Sequence, residues 1–308
     1  MSEIQTLKQK LSDWKDRLSG DGPHAISRQI SAMSWRSAFY RSVNESRLSL
    51  PKDADGEPLA NGSLHELLHE GYITIHTVLI RRLLDTRTRM NSLYKLIHDI
   101  ENNATLLTRE NMLKARGLEY NYELSKTAAI EEARAEAQEQ SETAYMVSRA
   151  GWGDAECWHM LCDELCGTEE RQRSKEDCPN KKQFTDLRNA LTEEGRAAIS
   201  YVNNYIAHAA PEDQRQALAN DENKLTLEKL WSAERAIVRA ASFISRCIIE
   251  GVHVGGVPIP QFDQFRYLDQ AFAPTNARPA MERAWDEHTR DISACRNWSW
   301  REPLIPNQ

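Results

Sequence analysis

Apolar residues recur at spacings of three and four through most of this chain, a period that predicts helices rather than strands. Over residues 3–18, Ile4, Leu7, Leu11, Trp14 and Leu18 form one stripe, ended by Gly20-Asp21-Gly22-Pro23. A second helix is expected over about 25–47, with Ile26, Ile30, Met33, Phe39 and Val43 apolar. Residues 51–62 are rich in Pro, Gly, Asp and Asn and read as a solvated loop. Ser63 with Glu66 three residues on has the form of a capping box. The helix after it, through Leu64, Leu67, Leu68, Tyr72, Ile75, Val78, Leu79 and Leu83, is expected in the core.

Further helices follow. Asn91–Asn102 carries Leu93, Leu96, Ile97 and Ile100. Residues 108–147 include the Ala/Glu/Arg-rich run 128–144, whose propensity predicts one long solvent-flanked helix. Gly151, Gly153 and Gly167 bracket a Cys-rich helix, and 171–182 reads as a polar linker. Helices are expected over 184–209, over 226–250 with Thr226 as cap, and near 278–294. The expected fold class is therefore all-α.

Composition fits a soluble protein: 40% hydrophobic, 28% charged, and no apolar run of the roughly 18 residues a spanning helix needs. Residues 1–10 lack the apolar stretch of a secretory signal, so a cytoplasmic location with no membrane partner is expected. The formal charge of −7 gives no global attraction to nucleic acid, so any phosphate contact must come from a local patch. Six Cys in such a chain read as free thiols or metal ligands rather than disulfides.

Three constellations could carry chemistry. In Tyr201-Val202-Asn203-Asn204-Tyr205-Ile206-Ala207-His208, Asn204 and His208 are four apart and share one helical face. A His at a helix C-terminus can titrate near neutrality, as a general acid or base must, though it can equally cap carbonyls. His65-Glu66-Leu67-Leu68-His69 matches the His-Glu-x-x-His pattern of zinc hydrolases. Its nearest further His, His76, is seven residues on, about 10 Å along a helix. Cys157, His159, Cys162, Cys166 and Cys178 lie within 22 residues but contain no Cys-x-x-Cys knuckle. A buried apolar helix with thiols acting as small hydrophobes explains them without a metal, and no cofactor is expected.

The segment from Asn203 to His208 resembles the Asn-x-x-Ile-Ala-His signature of the HEPN superfamily, in particular its abortive-infection (phage-resistance) branch. The stretches His76–Asp85, Ser92–Leu96, Leu187–Pro211 and Leu225–Phe272 run in that branch's order, covering about 60–275. The resemblance implies an antiparallel bundle over 60–275 with an insertion at about 150–182, preceded by a helix pair over 1–50 and followed by a helix and tail over 276–308. It also implies pairing into a homodimer, and RNA or a protein as partner. Many members are metal-independent ribonucleases with an Arg-x(4–6)-His motif, in which the His moves protons and the Arg steadies the phosphoryl oxygens. Carried onto this chain, His208 matches the His and Asn203 the polar residue after the Arg. The arginine position itself falls on Val202, and Tyr201 or Asn203 stand at the other spacings. Arg196 is twelve residues before His208, about 18 Å along a helix, so an arginine would have to come from elsewhere, such as Arg81, Arg82 or Arg188. The chain is thus expected to be a binding module of a phage-defence or toxin–antitoxin setting, with an endoribonuclease as the alternative.

Overall fold

A computed structural model describes residues 2–55, 61–87, 90–140, 146–206, 224–254, 258–260, 262–270 and 275–295. They form an all-α helical bundle with no strand among the described residues. The helices are α1 (Glu3–Ser19), α2 (Ile26–Ser46), α3 (Gly62–Leu83), α4 (Leu93–Asn102) and α5 (Arg109–Ala115). After them come α6 (Glu123–Glu139), α7 (Gly153–Cys166), α8 (Lys181–Tyr201), α9 (Leu227–Ile244) and α10 (Arg278–Cys295). None of the described helices is long and apolar enough to cross a membrane. The chain divides into two compact units, 1–258 and 259–308.

Side-chain caps set most of the helix starts. Ser2, Ser92, Thr108, Asn180 and Thr226 each accept a bond from a backbone N–H of the first turn, so the expected Thr226 cap is present. The α3 cap differs from expectation. Asn61 Oδ1 accepts from the Leu64 N–H at 2.9 Å, so α3 starts ahead of Ser63 and the Ser63–Glu66 capping box does not form. An amide at residue 61 reaches the orphan N–H groups first, which leaves Ser63 inside the helix.

Helix α8 packs against α3, α4 and α9, and α1 closes the other side through α2, α4 and α5. Leu7, Trp14 and Leu18 of α1, Ile80 and Leu83 of α3, Phe184 of α8 and Ile237 of α9 are fully buried. Each such side chain contributes about 1.5–3 kcal/mol of transfer free energy. The expectation for α3 holds in part: Tyr72, Leu79, Ile80 and Leu83 are buried, but Leu67, Leu68 and Ile75 are 67%, 47% and 48% exposed. In α2, Phe39 is exposed, and Tyr40 turns inward instead.

The long helix expected over 108–147 is two. Gly117 adopts φ +73°, a left-handed conformation that only glycine takes without strain, and its turn separates α5 from α6. Residues 141–144 of the Ala-rich run lie outside the described residues. The regular part of α8 ends at Tyr201 and gives way to a wider π-type turn, Val202–Ile206; a second such turn, Ser245–Ile249, ends α9. In the second unit, α10 carries an Arg278–Glu282 pair at 2.9 Å and leaves Met281 and Trp285 exposed.

Residues 171–182 are not a free linker. Arg173 grips Asp163 through Nε (3.0 Å to Oδ1) and Nη2 (2.6 Å to Oδ2). Beside it, Arg109, whose side chain is wholly buried, donates from Nε to Asp177 (2.9 Å), from Nη1 to the His159 carbonyl (2.9 Å) and from Nη2 to Asp163 (2.8 Å). This knot ties α5, α7 and the 173–177 segment together.

Candidate functional site

The end of α8 brings little chemistry to the expected motif. Val202 is 2% exposed and belongs to the core, so the position at which the resemblance expects an arginine faces inward. Asn204 turns back on its own helix, donating from Nδ2 to the Ser200 carbonyl at 2.7 Å. Asn203 is half-buried. His208 lies outside the described residues. Of the arginines considered as replacements, Arg188 is held by Glu101 (2.6 Å) and the Tyr94 hydroxyl (2.9 Å). Arg82 donates to His24 at 3.1 Å; Arg196, already too distant along the helix to serve, pairs with Glu193.

The zinc candidates are engaged elsewhere. Arg47 donates to His65 Nε2 at 2.5 Å, and the Tyr40 hydroxyl meets His69 Nδ1 at 2.5 Å, leaving the two imidazoles 6.2 Å apart between centroids. A guanidinium on one ring opposes a cation there, and burial together with Arg47 lowers the His65 pKa. His159 sits between the Arg109 guanidinium, 3.3 Å from Nδ1, and the Tyr120 carbonyl, 2.9 Å from Nε2. Burial and the neighbouring guanidiniums hold this ring neutral, so Nε2–H donates and Nδ1 accepts. Burial pushes the Cys162 thiol up to about 11 and Cys166 up to about 12. Cys178 donates to the Ala104 carbonyl at 3.1 Å, and Cys157 is exposed. Among the described residues no group of three or more His, Cys, Asp or Glu is placed to hold a metal ion.

The more developed site lies elsewhere, in a cleft of about 610 Å³ between α2 and α9. Helix α2 lines it with Ser34, Ser37, Ala38, Arg41 and Ser42, and α9 with Trp231, Glu234, Arg235, Val238 and Arg239. Both sets follow the same helical spacing of three and four, one continuous face from each helix. The small Ser and Ala of α2 leave room opposite the larger residues of α9, which opens the cleft.

A polar and aromatic layer supports its floor. Tyr40 and Tyr72 stack 3.9 Å apart with planes 2° from parallel. The Trp231 indole N–H donates to the Tyr72 hydroxyl (3.1 Å), which donates to Ser37 Oγ (3.3 Å). The Arg41 guanidinium lies 3.7 Å from the Trp231 ring centroid, a cation–π contact. Behind this layer His76 is 1% exposed, and neither ring nitrogen has a hydrogen bond in the described structure. Burial, helped by Arg41 and Arg36, takes its pKa down to about 4. At neutral pH the 3.6 Å approach of Nε2 to Glu234 Oε2 is therefore a contact between a neutral ring and a carboxylate, not an ion pair.

Hydropathy does not reveal this cleft, since its residues fall outside the apolar stripes of both helices. The available signal is the polar face of α9, where Arg235 and Arg239 stand one turn apart, opposite a serine-rich face of α2. No family model, curated protein or solved structure matches the chain.

Proposed function

We propose that this chain is a HEPN-like, antiparallel helical binding module of a phage-defence or toxin–antitoxin setting. It acts in the cytoplasm, as a homodimer, on RNA or a protein partner. Its motif pocket, with Asn203, Asn204 and His208, is kept without hydrolytic chemistry. One observation carries the non-catalytic reading: the arginine position is Val202, and its side chain is buried in the core. An isopropyl group donates nothing to a phosphate, and the loss of one charged donor removes about 3–4 kcal/mol of transition-state stabilisation. The apolar stripe Leu67, Leu68 and Ile75, exposed on α3, supports an interaction role.

The test is cleavage of end-labelled cellular RNA by purified protein beside the His208→Ala variant, with gel-shift and sedimentation runs on the same samples. The expected result is a dimer that cleaves nothing in either form. Discrete cleavage by the wild type, lost in the variant, overturns it in favour of the alternative, a metal-independent ribonuclease that uses His208 with an arginine from another helix or subunit. Arg81 favours that second reading: it lies on α3, against which the Val202–Ile206 turn packs, and its side chain makes no hydrogen bond among the described residues.

A further inference from the structure

The α2–α9 cleft carries an inference of its own. Three guanidiniums, those of Arg41, Arg235 and Arg239, line it against the single carboxylate of Glu234, in a chain whose formal charge is −7. A local excess of positive charge in an acidic protein has to be held together against its own repulsion. Arg235 answers part of that repulsion by pairing with Glu228 at 2.6 Å. Arg41 and Arg239 pair with no carboxylate among the described residues. Arg41 rests on the face of Trp231, which orients its fork while leaving its N–H groups available.

The serines add aimed donors. Ser37 is buried, and its Oγ already accepts from Tyr72, so its own hydroxyl hydrogen is left without an acceptor among the described residues, on the cleft wall. Ser34, also buried, has the same standing one helical turn away. The relay from Trp231 through Tyr72 to Ser37 fixes that orientation before any ligand arrives, which lowers the entropy lost on binding. Guanidinium forks and hydroxyl donors converging without a matching acceptor complement a phosphoryl group, which offers acceptor oxygens and negative charge together.

We propose that this cleft binds a small phosphorylated molecule, gripped by Arg41 and Arg239 with Ser37 as a neutral donor. A volume of about 610 Å³ is in the range of small-ligand sites and holds a diphosphate with a modest organic group. The chain's formal charge of −7 disfavours a long polyanion. The inference is independent of the HEPN-like reading, since neither Asn203 nor Asn204 is among the residues that line the cleft.

The experiment is calorimetric titration of the full chain with inorganic pyrophosphate, and separately with a 20-nucleotide RNA. Wild type is expected to bind pyrophosphate, with Arg41→Gln and Arg239→Gln each weakening binding about 10-fold or more. Ser37→Ala is expected to weaken it by a smaller factor, and Lys182→Gln, on α8 outside the cleft lining, to leave it unchanged. Circular dichroism of each variant separates lost binding from lost structure. Absence of a pyrophosphate isotherm at millimolar concentration overturns the proposal, as does equal binding by the Arg41→Gln/Arg239→Gln double variant. RNA binding that is lost in the same variants, with none for pyrophosphate, overturns it in favour of a nucleic-acid backbone.

Discussion

Arg109 is wholly buried, and its replacement by methionine tests whether the knot joining α5, α7 and the 173–177 segment holds the bundle together. The side chain meets Asp163 at 2.8 Å, Asp177 at 2.7 Å and the His159 carbonyl at 2.9 Å. Burial acts to raise the Asp163 carboxyl, yet hydrogen bonds from Arg173 and Arg109 hold it below its ordinary value. Methionine fills most of the volume but leaves two carboxylates and one carbonyl without their shared donor. Breaking a buried pair by removing one partner costs about 3–5 kcal/mol. The two carboxylates keep 18% and 12% of their side-chain surface in contact with water, and Arg173 remains on Asp163, so the lower end, about 3 kcal/mol, applies. At about 2–4 °C per kcal/mol for a domain of this size, the midpoint falls by roughly 6–12 °C. Arg109→Lys recovers little, because one ammonium cannot reach all three acceptors. Urea titration followed by circular dichroism measures the loss; a value under about 1 kcal/mol for Arg109→Met would refute the view that this knot is structural.

Three further outcomes are expected. The His76 ring stays neutral in the folded chain down to about 4, whereas an unfolded His takes a proton near 6.5, so the unfolded state binds more protons between these values. Stability therefore falls as pH drops through that window, by about 3 kcal/mol in all, and denaturant midpoints across pH should lose this slope in His76→Gln; an unchanged slope contradicts it. A Cβ on Gly195 would stand 2.2 Å from Leu84 Cδ1, so Gly195→Ala should lose about 1–3 kcal/mol, and adding Leu84→Ala should give a total below the sum of the single losses. Strict additivity in thermal melts would count against that contact. Burial raises Cys162 to about 11 and Cys166 and Cys247 to about 12, so brief iodoacetamide treatment at pH 7.5 should label Cys157 well ahead of these three; peptide mass spectrometry reads the order.

Much of the helical layout was legible because each helix carries its own local signals. The stripe Leu7, Trp14, Leu18 and the cap at Thr226 need only neighbours within four residues, and the structure bears both out. Breaks were harder to read. Gly117 divides 108–147, although nothing adjacent to it competes with the helix propensity that follows. Least legible were the polar interiors. Arg109 looks like a surface residue on a mostly polar helix until Asp177, 68 positions later, folds back onto it. Ser34 and Ser37 stand beside the apolar stripe of α2, and their value lies in what α9 places opposite them, which no local period encodes.

The position of α1 has a consequence for how the chain is made. Its Trp14 is completed by Asp99, 85 residues on, and its Ser19 by Glu250, 231 residues on. At 5–20 residues per second, roughly 10–50 s of synthesis separate Ser19 from Glu250. During that interval Leu7, Trp14 and Leu18 have only part of their final partners, so the growing chain presents a sticky early helix to ribosome-associated chaperones before the bundle can close over it.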